Sequence, residues 1–213
     1  THATLSAIRG VLRYCAVSGD ITYLSKAKER FSVYLENGMT ENYENRNKFF
    51  TNEWTEPCAI MDSYMCCVEL FKLTKDAFYI DLAHRIYYNA ICRTQLPNGG
   101  FGLDTCVGHD GQKVLKNIKN NAGKPTEAYW CCTMRGADGL SYVSENQCQK
   151  TDKGYCFIQY FDSKIIDENI EINEITQLPY YGKTKFIVKN QSNKETEYND
   201  CYRVNHHSCY FFN

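Results

Sequence analysis

Three thiols and one carboxylate are the residues of this sequence best suited to chemistry. Glu56-Pro57-Cys58 stands where one helix should open, and Cys131-Cys132 stands where another should. Aligned backbone dipoles at a helix N-terminus favour anions and lower thiol pKa values, so a thiolate is at home there as nucleophile or ligand. Zinc takes cysteine and carboxylate ligands in tetrahedral sites, and Glu56, Cys58, Cys131 and Cys132 together can supply four. Thiolate softness favours zinc among the common metals. The spacing is not that of a C-x-x-C knuckle, and the same cysteines can serve as small buried hydrophobes. From spacing alone both readings stand.

Other residues invite weaker readings. His109 lies in a Gly-rich loop, Val107-Gly108-His109-Asp110-Gly111, between the two thiol-bearing helices. Such loops line sites or simply cross the surface. Tyr129 and Trp130, just ahead of the cysteine pair, offer faces for stacking on a sugar or for packing in a core. His206 and His207 sit in a β segment with no motif around them and receive no role.

The elements that must position these groups fall into two halves. From Leu5 to about Val143 the apolar spacing is helical. Leu5, Ile8, Val11, Leu12 and Cys15 share one face. Tyr23, Leu24, Ala27, Phe31 and Tyr34 mark a second helix. A third opens at Glu56-Pro57, with proline suited to its first turn. A fourth follows Asp76 as far as Ile91, and a fifth runs from about Cys131 through Leu140. Tyr14–Leu24 parallels Leu70–Ile80 at an offset of 56 residues, each copy a helix, a short turn ending in Asp and a second helix. Repeated helical hairpins build solenoids or closed α/α toroids. From Gly154 onward the period changes to two. Strands are expected at Tyr155–Phe161, Ile170–Ile175, Lys185–Lys189 and Tyr202–Phe212, with turns at Tyr181-Gly182-Lys183 and Gln191-Ser192-Asn193. This reads as an antiparallel segment of about four strands, with the domain boundary between Ser144 and Lys153.

Composition narrows the function classes. The chain has 213 residues and a net charge of −1, enough length for one large domain or two small ones. Near-neutral charge argues against nucleic-acid and polybasic membrane roles. No apolar run approaches the roughly 18 residues of a membrane span. The sequence opens in helical pattern without an initiator Met, which reads as a fragment or a chain cut from a larger protein. Its 12 cysteines are an even number, so a secreted disulfide framework is one reading. The chain is larger than most such scaffolds. The adjacent pairs Cys66-Cys67 and Cys131-Cys132 suit a bridge poorly, so mostly free thiols are expected, with a few bound to metal.

Three stretches carry a resemblance. Trp54–Ser63, Gln95–Cys106 with its Asn98-Gly99-Gly100-Phe101-Gly102 core, and Tyr129–Gly136 resemble the β-L-arabinofuranosidase-type glycoside hydrolases. The likeness extends over nearly the whole chain, and Thr176–Gly182 is similar to a strand–Pro–aromatic–Gly turn of that family. It implies an α + β multidomain fold: the C-terminal part of an (α/α)6 toroid over residues 1–147, followed by the start of an antiparallel β-sandwich over 154–213. It also implies zinc held by Glu56, Cys58, Cys131 and Cys132, with Cys131 as the nucleophile of a retaining reaction on a glycan. Ordinary retaining glycosidases use a carboxylate in that role. His2 resembles a family histidine that contacts the sugar. The family's acid/base glutamate falls here on Thr40, with Glu41 next to it and Glu44 near, and Glu41 is the candidate. Two other function classes remain beside this one: a non-catalytic carbohydrate-binding or scaffold protein with a structural zinc, and a disulfide-bonded interaction domain. Oligomeric state is not legible from the sequence.

Overall fold

The computed structural model describes residues 1–50, 55–95, 99–101, 130–151, 154–191 and 199–200. The chain divides into two compact units, Thr1–Tyr142 and Val143–Asn213, and each is described by itself.

In the first unit, helix α1 (His2–Ser18) buries Leu5, Ile8, Leu12 and Cys15, one stripe of an otherwise wetter helix. Helix α2 (Leu24–Asn37) buries Ala27, Phe31 and Tyr34. Helix α3 (Pro57–Thr74) is different. It is buried on every side from Pro57 through Phe71, as expected of a helix apolar all round, and α1 and α4 (Ala77–Ile86) both pack against it. The fourth helix does not run on uniformly to Ile91. It passes at Tyr87–Ile91 into a π-helical turn and then a last short turn, α5 (Cys92–Thr94). Helix α6 (Trp130–Glu145) carries the cysteine pair.

The two expected hairpins share their turn chemistry atom for atom. Ser18 and Thr74 each donate a hydroxyl to the carbonyl four residues back, Tyr14 and Leu70. Gly19 and Lys75 follow in the left-handed conformation, with φ of 73° and 59°. Asp20 and Asp76 then accept from the amides of Thr22 and Phe78 at 2.9 and 3.0 Å. The side chain of Asp76 thereby caps α4.

Contacts between α1 and α3 keep the same offset, since Ser6 meets Asp62 and, one turn on, Arg9 meets Met65. The two helices therefore run in the same direction. Helix α6 runs parallel to α3 as well: Cys58 meets Cys132, Asp62 faces Arg135, and Tyr142 donates to Glu69. Close approach of α6 needs its glycines. A Cβ at Gly139 would stand 2.3 Å from the Met61 sulfur, and one at Gly136 would stand 2.1 Å from the Phe101 ring.

The second unit holds two three-stranded sheets. One has the order β1 (Cys148–Thr151), β2 (Gly154–Phe157), β6 (Asn199–Asp200), and the other is β3 (Ser163–Asp167), β4 (Ile170–Thr176), β5 (Thr184–Asn190). Tyr155 and Phe157 of the first sheet pack with Ile170 and Ile172 of the second. The expected first strand ends early, because the amides of Ile158 and Gln159 turn to the Gln147 carbonyl. The expectation of a wholly antiparallel segment is corrected at one edge, where β2 pairs with β6 in parallel. The β4–β5 hairpin turns at residues 177–183. The expected strand Tyr202–Phe212 lies outside the described residues. Among the described residues no helix is long and apolar enough to cross a membrane.

Candidate active site

Three parallel helices bring their N-termini to one end of the first unit, and each contributes a chemically useful residue in its first turn. His2 opens α1, Glu56 and Cys58 open α3, and Cys131 and Cys132 open α6. The offset that relates α1 to α3 places His2 and Cys58 at equivalent positions.

The donor atoms of Glu56, Cys58, Cys131 and Cys132 all lie within 4.8 Å of one another. The Cys58 and Cys132 sulfurs are 3.7 Å apart, and those of Cys131 and Cys132 are 3.9 Å apart. A tetrahedral site with metal–sulfur bonds of about 2.3 Å has edges of about 3.8 Å. Three sulfurs and one carboxylate at this spacing fit zinc. Cys58 and Cys132 are buried while Cys131 is exposed, so Cys131 is the thiol of the cluster that an incoming molecule can reach. All nine cysteines among the described residues are free thiols.

The electrostatics of the protein atoms alone oppose ionisation. Hydrogen bonding to Cys132, together with burial and the charges of Cys132 and Glu56, pushes the Cys58 thiol far above its usual range. Burial raises Cys131 too, reinforced by Cys58 and Glu56. The helix N-termini would lower these values, but desolvation and the crowding of four potential anions outweigh them. A bound cation reverses that balance, because a coordinating thiol is deprotonated outright.

A loop from Gly38 to Phe50 closes beside this end. Thr1 donates its hydroxyl to the Arg46 carbonyl, and the Glu56 amide donates to Asn45 Oδ1 at 3.3 Å. The Thr55 hydroxyl donates to the Asn45 carbonyl at 2.9 Å. This loop carries the acid candidates. Glu41 is exposed, whereas Glu44, next to Asn45, is only 2 % exposed. His2 is half-buried, its Nδ1 2.7 Å from the carboxylate of Asp62. For Trp130 only the backbone is described, as the first residue of α6. His109, the other expected sugar contact, lies outside the described residues.

Asp62, Arg135 and Asn45 were not anticipated. Asp62 does leave a signal, as one of two acids, with Glu69, in the otherwise largely apolar run Pro57–Phe71. A buried charge requires partners.

No family model matches this sequence. No curated protein matches it either. Solved structures do. A GH127 β-L-arabinofuranosidase from Geobacillus stearothermophilus T6 superposes with a TM-score of 0.67 at 18% identity, over 88% of this chain and 33% of that one. A second GH127 β-arabinofuranosidase gives 0.68 at 18% identity, over 86% and 30%. A protein described as a glycoside hydrolase gives 0.72 at 13% identity, over 94% and 39%. The chain thus spans about a third of the length of these structures and shares their fold over that part.

Proposed function

We propose that this chain is part of a glycoside hydrolase that removes L-arabinofuranosyl, or related furanosyl, residues from glycans with retention of configuration. In this reading the first unit is part of an (α/α)6 toroid and the second is the start of a β-sandwich. The observation that carries the proposal is the cluster Glu56, Cys58, Cys131 and Cys132, whose sulfur spacing matches the edges of a zinc–thiolate tetrahedron. The likeness of fold to arabinofuranosidases supports the choice of substrate.

These four residues would hold the metal. Zinc, when bound, supplies the positive charge that keeps their thiols ionised at neutral pH. The exposed Cys131 sulfur attacks the anomeric carbon, and the bond from that carbon to the leaving oxygen breaks. A carboxylic acid gives its proton to that oxygen. Water, activated by the same group now acting as base, then displaces the sulfur and returns the thiolate. Two displacements at one carbon retain its configuration. Glu41 is the acid suggested by sequence. Its neighbour Glu44 is the alternative, supported by its burial and by its place next to Asn45, whose side chain accepts from the Glu56 amide.

A second reading has one observation in its favour: Thr40 stands where the family places its acid. A protein lacking that acid would bind glycans around a structural zinc without turnover.

The test is elemental analysis of the intact protein, purified without chelator, as wild type and as Cys58→Ser. One zinc per chain, lost in the variant, is expected. Hydrolysis of a β-L-arabinofuranoside abolished in Cys131→Ser supports the enzyme. No zinc in freshly reduced wild type overturns the metal–thiolate reading. Zinc without hydrolysis leaves the binding protein.

A further inference from the structure

Glu56 stands just ahead of α3 as its N-cap, in extended conformation with φ of −116° and ψ of 113°. An N-cap side chain ordinarily accepts from an amide of the first turn. Among the described residues the Glu56 side chain makes no such bond, and its carboxylate lies within 4.8 Å of the three sulfurs. A glutamate side chain is long and rich in rotamers, so it serves as a fixed ligand only where its backbone is held.

That backbone is held from both sides. On the C-terminal side, the Pro57 ring locks its own φ and disfavours the helical region for the residue before it. On the N-terminal side, the Glu56 amide donates to Asn45 Oδ1 at 3.3 Å, and the hydroxyl of the preceding Thr55 donates to the Asn45 carbonyl at 2.9 Å. Asn45 thus grips two successive residues, one with its side chain and one with its backbone. Asn45 and Thr55 are both fully buried, where water cannot take the place of a lost bond.

Asn45 is itself set in a tight hairpin. Met39 and Asn45 pair as an antiparallel bridge, the Thr40 amide donates to the Glu44 carbonyl at 2.9 Å, and the Tyr43 amide donates to the Thr40 carbonyl at 3.0 Å. At the tip, Tyr43 takes the left-handed backbone conformation, with φ of 67°. A non-glycine residue persists there when its surroundings hold it. Arg85 of α4 supplies that hold. It donates to the Tyr43 hydroxyl at 3.0 Å, lies 5.8 Å from the centre of the Tyr43 ring, and is aligned by Asp81 at 2.8 Å. A run of bonds therefore leads from α4 through the hairpin to the backbone of Glu56.

We propose that Asn45 is a positioning residue for the metal centre: with Thr55 it fixes the backbone of Glu56 so that the carboxylate completes the site formed by Cys58, Cys131 and Cys132. This inference rests on the metal reading of the cluster, and on neither the sugar nor the acid. Residues behind a ligand commonly set its affinity in this way.

The experiment uses the intact protein and zinc alone as probe. Zinc affinity is measured by competition with a chromophoric chelator for wild type, Asn45→Ala, Glu56→Gln and the double variant, and for Thr55→Val and Thr55→Ser. Asn45→Ala is expected to weaken zinc binding about tenfold, the lower range for loss of a residue behind a ligand. In the Glu56→Gln background, where the carboxylate is gone, the same substitution should change affinity by less than about twofold. Thr55→Val keeps the shape and loses the hydroxyl, so it should weaken binding. Thr55→Ser keeps the hydroxyl and should stay within about twofold of wild type. With cobalt(II) in place of zinc, the visible absorption of Asn45→Ala should move toward that of Glu56→Gln. Equal weakening by Asn45→Ala with and without Glu56→Gln overturns the proposal, as does wild-type affinity in Asn45→Ala. Should Asn45→Ala fail to fold, the Thr55 pair decides, and equal affinities for Thr55→Val and Thr55→Ser overturn the proposal. Freshly reduced wild type that binds no zinc is a separate failure: it overturns the metal reading, and the role of Asn45 with it.

Discussion

Gly136→Ala sets two known effects against each other. Glycine inside a helix costs about 1 kcal/mol relative to alanine, so the substitution gains that much in helix propensity. Against this stands the Phe101 ring, 2.1 Å from the position of the new Cβ. Carbon atoms pack at roughly 3.5–4.0 Å, so helix and ring must part by about 1.5 Å. Phe101 has little room to yield. It is buried, and both its amide and its carbonyl are bonded to the Thr133 hydroxyl, at 3.1 and 3.2 Å. Overpacking typically costs about 1–3 kcal/mol, and a pinned ring puts this case at the upper end. The net expectation is destabilisation of about 1–2 kcal/mol, or a midpoint lower by roughly 2–8 °C for a protein of this size. Gly10→Ala supplies the control, because among the described residues nothing lies within 4 Å of a new Cβ at that exposed α1 glycine. It should raise the midpoint by a few degrees, about 0.5–1 kcal/mol. Scanning calorimetry reads both. Gly136 is one turn beyond Cys132, so any shift of α6 moves that sulfur from its 3.7 Å approach to Cys58, and zinc affinity should fall in the same variant. A Gly136→Ala protein as stable as Gly10→Ala would refute the claim that this glycine exists to admit Phe101.

Further tests follow from individual side chains. Asp76→Ala removes the cap from α4 and should cost about 1 kcal/mol by urea unfolding, while Asp76→Asn stays close to wild type. In the second unit, burial raises Glu174 to about 7 despite hydrogen bonds from Gln147 and Ser163. The folded state then keeps a proton that the unfolded chain gives up at ordinary carboxylate pH. Stability from this group is full below about pH 4.5 and is lost as pH rises through about 7, by at most about 3 kcal/mol before solvent screening. Urea unfolding of Glu174→Gln at pH 5 and pH 8 should show that slope flattened. Between the two acid candidates, Glu44→Gln should lower kcat for an arabinofuranoside by about 100-fold or more. Glu41→Gln should leave it within about twofold, and the reverse order would restore Glu41.

Much of the helical unit was legible because local rules govern it. Of the expected stripe, Leu5, Ile8, Leu12 and Cys15 are buried as their spacing requires while Val11 is exposed, and Pro57 opens α3. The Asp20 and Asp76 turns follow from side chains bonding amides two residues on. The four residues of the thiol cluster were readable as first-turn positions, and the structure brings their donor atoms together. What escaped depends on contacts distant in the chain. Nothing local announces that Asp62 will meet His2 and Arg135, or that Glu44 rather than Glu41 will be enclosed. The π-helical turn at Tyr87–Ile91 has the apolar spacing of an ordinary helix. Strand β3 alternates only between half-buried and exposed, so its period-two signal is faint. The parallel β2–β6 pair joins residues more than forty apart, where local periodicity carries no directional information.

The matching turns of the two hairpins have an implication for how such a site can change. His2 and Cys58 occupy one structural address in two copies of the same module, yet one is an imidazole and the other a thiol. The module is held by residues further along: the apolar stripe, the hydroxyl at Ser18 or Thr74, and the aspartate after it. Foundation and payload are thus encoded in different parts of each copy. Evolution, or a protein engineer, can rewrite the payload at a helix's first turn while leaving the foundation intact. An architecture of this kind can acquire new specificities by exchanging side chains at a few repeated addresses, without having to rediscover how to fold.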